Sequence, residues 1–429
     1  MNKTGISFSQ YRYLIFAILG CAYILVFFHR MAPAVVAIDM MADLKAGGAL
    51  LGILASAYFY PYGLMQIPAG LLSDSWGPRR SIALFFIIGA AGSILLGLSQ
   101  NAAMAIFGRV LVGLGVAMVF IPTLKILTNW FESDKFVYMN GLLMTLGGVG
   151  AFTASTPLAL LSGAISWRGS MVLIGLVTLV MSGLVWLIVR DRPEQSGFKP
   201  VNHLPAAGIE EKKMKLFSGI GLVLKSPAFW PMAGCSFFGQ LVMLSFAGLW
   251  SGPFLMHVYD MSKAQAGGVL SAMAIGMVTG APVMSLLANR VFGSRKKVLV
   301  LGHACALVIF IPLAFCTGKF SHAQLYLWCF SFNFCMSSLA VVGYSIVKDS
   351  FPLQISGTAT GTMNLFPFVG ALVGQPLIGW YLDFHCEGVS PYTVGAYSAA
   401  FKICFLSLFL ALICTIVVTE PGSGRNSSG

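Results

Sequence analysis

The sequence predicts an all-α membrane protein of twelve membrane-spanning helices in two pseudo-symmetric six-helix bundles. Three observations predict it. Of 429 residues, 57% are hydrophobic and only 9% charged, too little charge for a soluble domain. Long apolar runs recur at roughly 13–36, 47–72, 79–98, 102–128, 137–164, 168–190, 228–256, 263–289, 298–317, 321–347, 353–382 and 394–418. All match or exceed the ~20 residues that cross a hydrocarbon core as a helix. The runs divide six and six around one long polar gap, Asp191 to Lys225, and the halves echo each other. The expected domains are therefore 1–190, a cytoplasmic linker 191–227, and 228–429.

The first run lacks an A-x-A-type cleavage site and continues into a hairpin, so it reads as a span and not a removable signal peptide. The second and third runs are joined by Gly70-Leu-Leu-Ser-Asp74-Ser-Trp-Gly77-Pro-Arg79-Arg80. So short a hinge makes its helices antiparallel neighbours. Gly70 is expected to let two helix backbones approach and Gly77 to make a turn closed to most residues. Asp74 is expected to cap a helix or pair with an arginine, and Arg79 and Arg80 to hold the hinge in the cytoplasm. In the fifth run, Gly141, Gly147, Gly148 and Gly150 make one side smooth, which suits a rocking contact between bundles.

In the polar gap, Lys212 to Lys225 interleaves lysines with Leu216, Phe217, Leu222 and Leu224. This pattern suits either an amphipathic helix on the inner leaflet or a plain linker. The second half repeats the hinge as Ala288-Asn289-Arg290-Val-Phe-Gly293-Ser-Arg295-Lys296-Lys297, with Asn289 in place of the acid. Phe131, Gly141 and Gly150 are matched by Phe351, Gly361 and Gly370 at one constant offset of 220. Tandem repeats of this kind are a mark of alternating-access carriers.

The net charge of +12 does not point to nucleic acid, because most of the lysines and arginines fall on one side of the membrane. That bias places both termini in the cytoplasm. The nine cysteines lie mostly in apolar runs without C-x-x-C spacing, so no zinc site or disulfide framework is expected. No H-E-x-x-H motif or paired carboxylates are present, and no enzyme, metal or cofactor is expected.

Ionisable residues inside spans are costly and functional by default. Arg30 in the first run, Arg109 and Lys125 in the fourth and His303 in the ninth qualify, and no acid falls near the middle of any run. The cavity is therefore expected to be net positive and to favour an anionic group. For Arg30 the alternative is snorkelling to the outer headgroups, for Lys125 snorkelling to the cytoplasmic face, and for Arg109 a structural role. Neutral polar candidates are Tyr58, Tyr60, Tyr62 and Gln66 in the second run, Gln240 in the seventh, Asn333 and Tyr344 in the tenth, and Asn364 and Gln375 in the eleventh. Tyr62 and Gln66 share a helix face at i, i+4. Any of the amides also fits a role as inter-helical glue.

The hinge resembles the signature loop of the major facilitator superfamily, with Ser75 where the usual arginine follows the aspartate. Arg109-x-x-x-Gly113-x-Gly115 is similar to that superfamily's fourth-helix motif. Within the superfamily, Tyr62-Gly-x-x-Gln66, Trp130-Phe131 and Arg190-Asp-Arg-Pro193 resemble the branch of organophosphate–phosphate antiporters and bacterial organic-anion permeases. Arg30 stands at about the position of that branch's first-helix phosphate-binding arginine. Gln66 replaces its second-helix lysine, and the seventh run has no arginine, so the two-cation phosphate clamp is incomplete.

The resemblance implies a secondary transporter of a small organic solute, and one arginine with amides and tyrosines suits an anion such as a carboxylate, an amino acid or a short peptide. The implied substrate-binding residues are Arg30, Tyr58, Tyr62, Gln66, Lys125, Gln240, Tyr344 and Asn364. The implied gating residues are Asp74, Gly77, Arg79, Arg80 and Arg109. Alternatives are a neutral or phosphorylated metabolite, export of a small metabolite such as a siderophore, or a transporter-like nutrient sensor. Against a sensor, the modest linker and the tail Thr419–Gly429 suggest no signalling domain. The glycines of the fifth run lack the glycine-proline-glycine pattern of drug–proton antiporters, which argues against drug export. The expected setting is the inner (cytoplasmic) membrane, with the chain a monomer. Expected partners are the lipid bilayer, a small-molecule substrate and either a coupled proton or a counter-substrate, with no nucleic acid.

Overall fold

The computed structural model describes residues 7–201, 216–387 and 391–420. The Glu210-Glu-Lys-Lys stretch, Lys212–Lys215 and the tail beyond Glu420 lie outside the described residues. No strand occurs among the described residues. The helices are α1 Phe8–Met31, α2 Pro33–Leu44, α3 Gly48–Ser56, α4 Phe59–Leu64, α5 Gln66–Ser75, α6 Pro78–Gly97, α7 Ala102–Ala117, α8 Phe120–Trp130, α9 Ser133–Thr153 and α10 Thr156–Ile188. They continue with α11 Leu216–Lys225, α12 Phe229–Ser245, α13 Ser251–Tyr259, α14 Lys263–Leu286, α15 Arg295–Phe315, α16 His322–Ser338, α17 Tyr344–Ser350, α18 Leu353–Met363, α19 Phe366–His385 and α20 Val394–Val417.

Starts are written locally. Ser7 with Gln10, Ser262 with Gln265 and Ser321 with Gln324 form capping boxes on α1, α14 and α16, each satisfying otherwise orphaned N–H groups. Breaks are local too. The second apolar run is three short helices, α3 to α5, with Pro61 and Pro68 inside it, each removing a helical N–H donor; the pair Gly48–Leu64 and Pro68–Ser75 is bent by 52°. Ser166, at φ 63°, marks a break within α10 where the sequence separates its fifth and sixth runs.

Among the described residues nine helices are long and apolar enough to cross a membrane, or ten if the bent pair is one span. The twelve expected runs exceed this. At the fifth place stands α9, and at the tenth stands α16, which is only 17 residues long before a π-turn at Leu339–Gly343.

By compactness one unit comprises Met1–Met40 with Ala57–Gly208, and the other Met41–Ser56 with Ile209–Gly429. In the first unit α6 packs on α7 and α10, and α1 on α9. A Cβ on Gly92 would lie 2.6 Å from Val112 N and 2.7 Å from Gly108 O, so α6 and α7 approach to backbone contact. Gly70, expected to do the same, has nothing within 4 Å of its would-be Cβ. The fifth-run glycines Gly147 and Gly150 face Tyr23, Ile24 and Phe27 of α1, so that part of the smooth side is packed inside its own unit, whereas Gly141 has nothing within 4 Å of its would-be Cβ.

In the second unit, α12 packs on α19 and α20, α14 on α16, and α15 on α16 and α20. Asp383 near the end of α19 accepts from Gly48 N and Ala49 N, both at 2.8 Å, and from the Tyr392 hydroxyl at 2.6 Å. It caps the first turn of α3, whose N–H groups have no acceptor of their own. That cap is one reason Met41–Ser56 groups with the second unit.

Candidate functional site

The site is assembled in the first unit from α1, α4 and α7. Arg30 lies in the last turn of α1. Its guanidinium carbon is 4.7 Å from the ring centroid of Phe27, one turn earlier, and 4.9 Å from that of Tyr62 on α4. Tyr58, at the N-cap of α4, stacks on Tyr62 with centroids 5.4 Å apart and planes 18° apart, as i, i+4 spacing on one helix allows. The buried Arg109 of α7 covers the other end of this aromatic pair, 5.1 Å from the Tyr58 centroid. One turn beyond Arg109, a Cβ on Gly113 would collide with the Tyr58 backbone and reach within 3.0 Å of Pro61 Cγ. The glycine therefore lets α4 lie on α7 closely enough for Tyr58 to meet the arginine. Each cation–ring contact is worth about 0.5–2 kcal/mol, most when desolvated.

Arg109 donates through Nη1 to the His29 carbonyl at 2.8 Å, using an oxygen freed at the end of α1. The His29 ring is buried, with Nε2 3.2 Å from the Thr178 hydroxyl of α10. Arg30 and Arg109 thus share one aromatic core, an arrangement with two cations where the sequence offered one binding arginine. His29, the residue next to Arg30, carries no sequence signal for this role because the role is played by its backbone oxygen.

Other expected ligands are placed differently. Gln66 is buried and donates to the Tyr62 carbonyl at 3.1 Å in its own turn. Tyr60 is exposed. Lys125 is not with Arg30: its ammonium contacts Asp74 at 2.5 Å and the Ser73 carbonyl at 2.9 Å. In the second unit the Tyr344 hydroxyl donates to Asn364 Oδ1 at 2.8 Å, and Gln240 is half-buried on α12. The Gln375 side chain donates to the Leu244 carbonyl at 3.1 Å and its backbone carbonyl accepts from the Trp250 indole, which is the glue role. His303 lies between the Leu299 carbonyl at 3.0 Å and Cys235 Sγ at 3.5 Å, fully buried. Among the described residues no group of three His, Cys, Asp or Glu side chains could hold a metal ion.

The hinge residues also differ from the expected pairing. Asp74 binds Lys125, and the acid that holds Arg79 is Asp191, which accepts from the Arg79 N–H at 2.7 Å. The Arg79 guanidinium donates to the Trp186 carbonyl at 2.8 Å and lies 4.9 Å from the Trp186 centroid. Gly77 has φ 90°, and a Cβ there would be 2.6 Å from Asp191 Oδ2, so the position excludes other residues twice over. In the second unit Glu420 accepts from Arg295 N at 2.8 Å and Lys296 N at 3.3 Å. There Asn289 cannot form an ion pair, and Arg295 at the start of α15 pairs with Asp349 of α17 instead.

The comparisons agree with this architecture. The profile of the Major Facilitator Superfamily matches residues 19–253 and 249–429. A Chlamydia trachomatis protein named "Probable hexose phosphate transport protein" is 22% identical, covering 86% of this chain and 85% of its own. A Cupriavidus necator protein named "Probable sulfoacetate transporter SauU" is 21% identical, covering 96% and 97%. The solved structure of the nucleoside transporter NupG superposes with a TM-score of 0.77 at 13% identity, over 95% of this chain and 100% of that one; at that identity it shows the fold alone. With hinge, fourth-helix motif and repeat all in place and the profile spanning both halves, the chain belongs to the Major Facilitator Superfamily.

Proposed function

We propose that this secondary transporter carries a small organic anion with one carboxylate-like group, and that Arg30 is its principal contact. The observation that carries the reading is the packing of Arg30 against Phe27 and Tyr62. Ring contacts orient a guanidinium while leaving it fully cationic, and its planar fork matches a carboxylate's two oxygens. Arg109, tethered to the His29 carbonyl, adds positive field to the same aromatic core. Tyr58 and Tyr62, stacked on each other beside the two arginines, read the remainder of the molecule. The sulfoacetate and hexose phosphate named for the two relatives are anionic, which supports the class without choosing a member. Without an acid near mid-span, coupling rests on exchange, on facilitated diffusion, or on a proton carried with the substrate.

Proteoliposomes loaded with sulfoacetate, glucuronate, an amino acid, a hexose phosphate or an uncharged sugar test this. Saturable, trans-stimulated flux is expected with one of the carboxylates; flux with the uncharged sugar alone overturns the anion reading.

We further propose that the chain divides functionally into bundles 1–190 and 228–429 joined by 191–227, with the termini and linker cytoplasmic. Reporter fusions after residues 200 and 425 should both remain cytoplasmic, and a periplasmic signal from either reverses the topology. The Asp74–Lys125 pair acts as a latch on that face. Its acid is 72% exposed, so it adds little stability, roughly 0–1 kcal/mol. Asp74→Asn and Lys125→Met are expected to slow exchange while leaving ligand affinity within about threefold, and the reversed pair Asp74→Lys with Lys125→Asp to recover part of the rate. Loss of binding in a folded single variant removes the latch assignment.

A further inference from the structure

A cleft of ≈ 480 Å³ opens at the polar end of the first unit, lined by Trp76, Arg79, Arg80, Arg190, Asp191 and Gln195. Three arginines and one aspartate line it, and that carboxylate is already engaged. Asp191 Oδ1 takes the Arg79 N–H at 2.7 Å, and Oδ2 lies against Gly77. Burial and then the repulsion of Arg190 and Arg80 weigh on the Arg79 charge, against the attraction of Asp191. Arg190 holds its place by donating to the Leu187 and Val189 carbonyls at 2.8 and 2.9 Å. Arg80 is exposed and forms no ion pair among the described residues. Gln195 gives its carbonyl to the Asp191 N–H at 3.0 Å, so its amide NH₂ is a further donor at the rim. The wall is a convergent set of donors with surplus positive charge, and its size fits a small ligand.

We infer that this cleft binds a phosphate oxyanion, and that its setting selects the headgroup of an anionic phospholipid. A tetrahedral phosphate offers several oxygens at once, which suits arginines arriving from different elements better than a lone carboxylate does. The setting is that of a lipid. The cleft lies where α6 begins and α10 ends, at the edge of two helices long and apolar enough to span. Trp76 and Trp186 beside it are 52% and 43% exposed, as indoles at the headgroup level are. Leu84 and Ile87 on α6, and Val180 and Leu187 on α10, are exposed apolar side chains further along the same two helices, surface against which acyl chains lie. Basic pockets between spanning helices are a known chemistry for anionic headgroups.

Delipidated full-length protein is titrated with dioleoylphosphatidylglycerol or dioleoylphosphatidylcholine, and bound lipid is counted by native mass spectrometry. In parallel, its melting temperature is followed in inorganic phosphate. The anionic lipid is expected to be retained in preference to the zwitterionic one, and Arg80→Gln or Arg190→Gln each to cut that preference about fivefold. Arg80 is exposed, so its variant keeps the fold, and Arg80→Lys should retain part of the preference. Inorganic phosphate alone should leave the melting temperature unchanged, which identifies the lipid as the source. A phosphate-induced rise that Arg80→Gln abolishes keeps the oxyanion site but assigns it to a free phosphate and overturns the lipid source. Equal retention of both lipids without a phosphate effect, or a preference indifferent to both glutamine variants, overturns the site.

Discussion

Arg30→Lys is expected to lower transport of the anionic substrate about tenfold to a hundredfold, with Arg30→Gln lower still. The magnitude follows from losing hydrogen bonds to a charged partner, about 1.5–3 kcal/mol. Lysine keeps the charge, but it is a point cation without the planar fork, and it stacks less well on the rings of Phe27 and Tyr62 that position the arginine. If Arg30 only anchored the helix end at the headgroups, lysine would serve equally, because a snorkelling ammonium needs no particular geometry. Measured initial rates in proteoliposomes separate the two accounts, with the melting temperature confirming that each variant is folded. Wild-type rate and apparent affinity in both variants would sink the anion assignment. Tyr58→Phe is the milder companion: both ring contacts survive, so only interactions of the hydroxyl are removed.

The parts legible in the sequence were those written locally. Composition and run length gave the helical membrane class, and the hinge and fourth-helix motif gave the family. Gly77 followed from its turn. The Arg30–Tyr62 contact was half legible, because each residue stood out as a polar or charged group in an apolar run, while nothing in the spacing says which rings meet. Arg109 is expected to act in gating; in the structure it lies on Tyr58, which stacks on the Tyr62 that Arg30 packs against. Its link to α1 runs through the His29 backbone oxygen, and a backbone acceptor leaves no side-chain signature. Lys125 looked like a cavity cation because it falls in an apolar run, yet its long stem reaches Asp74 at the hinge, which is the snorkelling alternative carried to a specific partner. The three acids that cap helices were missed for one reason. Asp191, Asp383 and Glu420 each serve a helix more than a hundred residues away in sequence, and cap rules read only the residues next to a helix start.

Two of those acids do the same work in the two units. Asp191, just after α10, caps α6, and Glu420, just after α20, caps α15. In each case an acid from the last helix of the half locks the helix that follows the basic hinge, placing negative charge on the positive end of a helix dipole. Removing the acceptor leaves first-turn N–H groups to water, so Asp191→Ala and Glu420→Ala are each expected to cost about 0.5–2 kcal/mol. Asp191→Asn should cost less than Asp191→Ala, because its amide oxygen still accepts.

The Glu420 cap should also be sensitive to acid. Partial burial pushes its carboxyl up, but the Ser294 hydroxyl and the N–H groups of Arg295 and Lys296 outweigh burial and hold it below its ordinary 4.5. A depressed carboxyl contributes stability that is complete above its unfolded value and is lost as pH falls through the folded one. The difference in melting temperature between the wild type and Glu420→Gln should therefore be constant near neutrality and close as the pH drops below 4.5. Thermal melts in detergent across that range read the effect directly. A wild-type advantage that persists at the acid end, or an Asp191→Ala protein that melts with the wild type, would show that the two acids do not hold their helices.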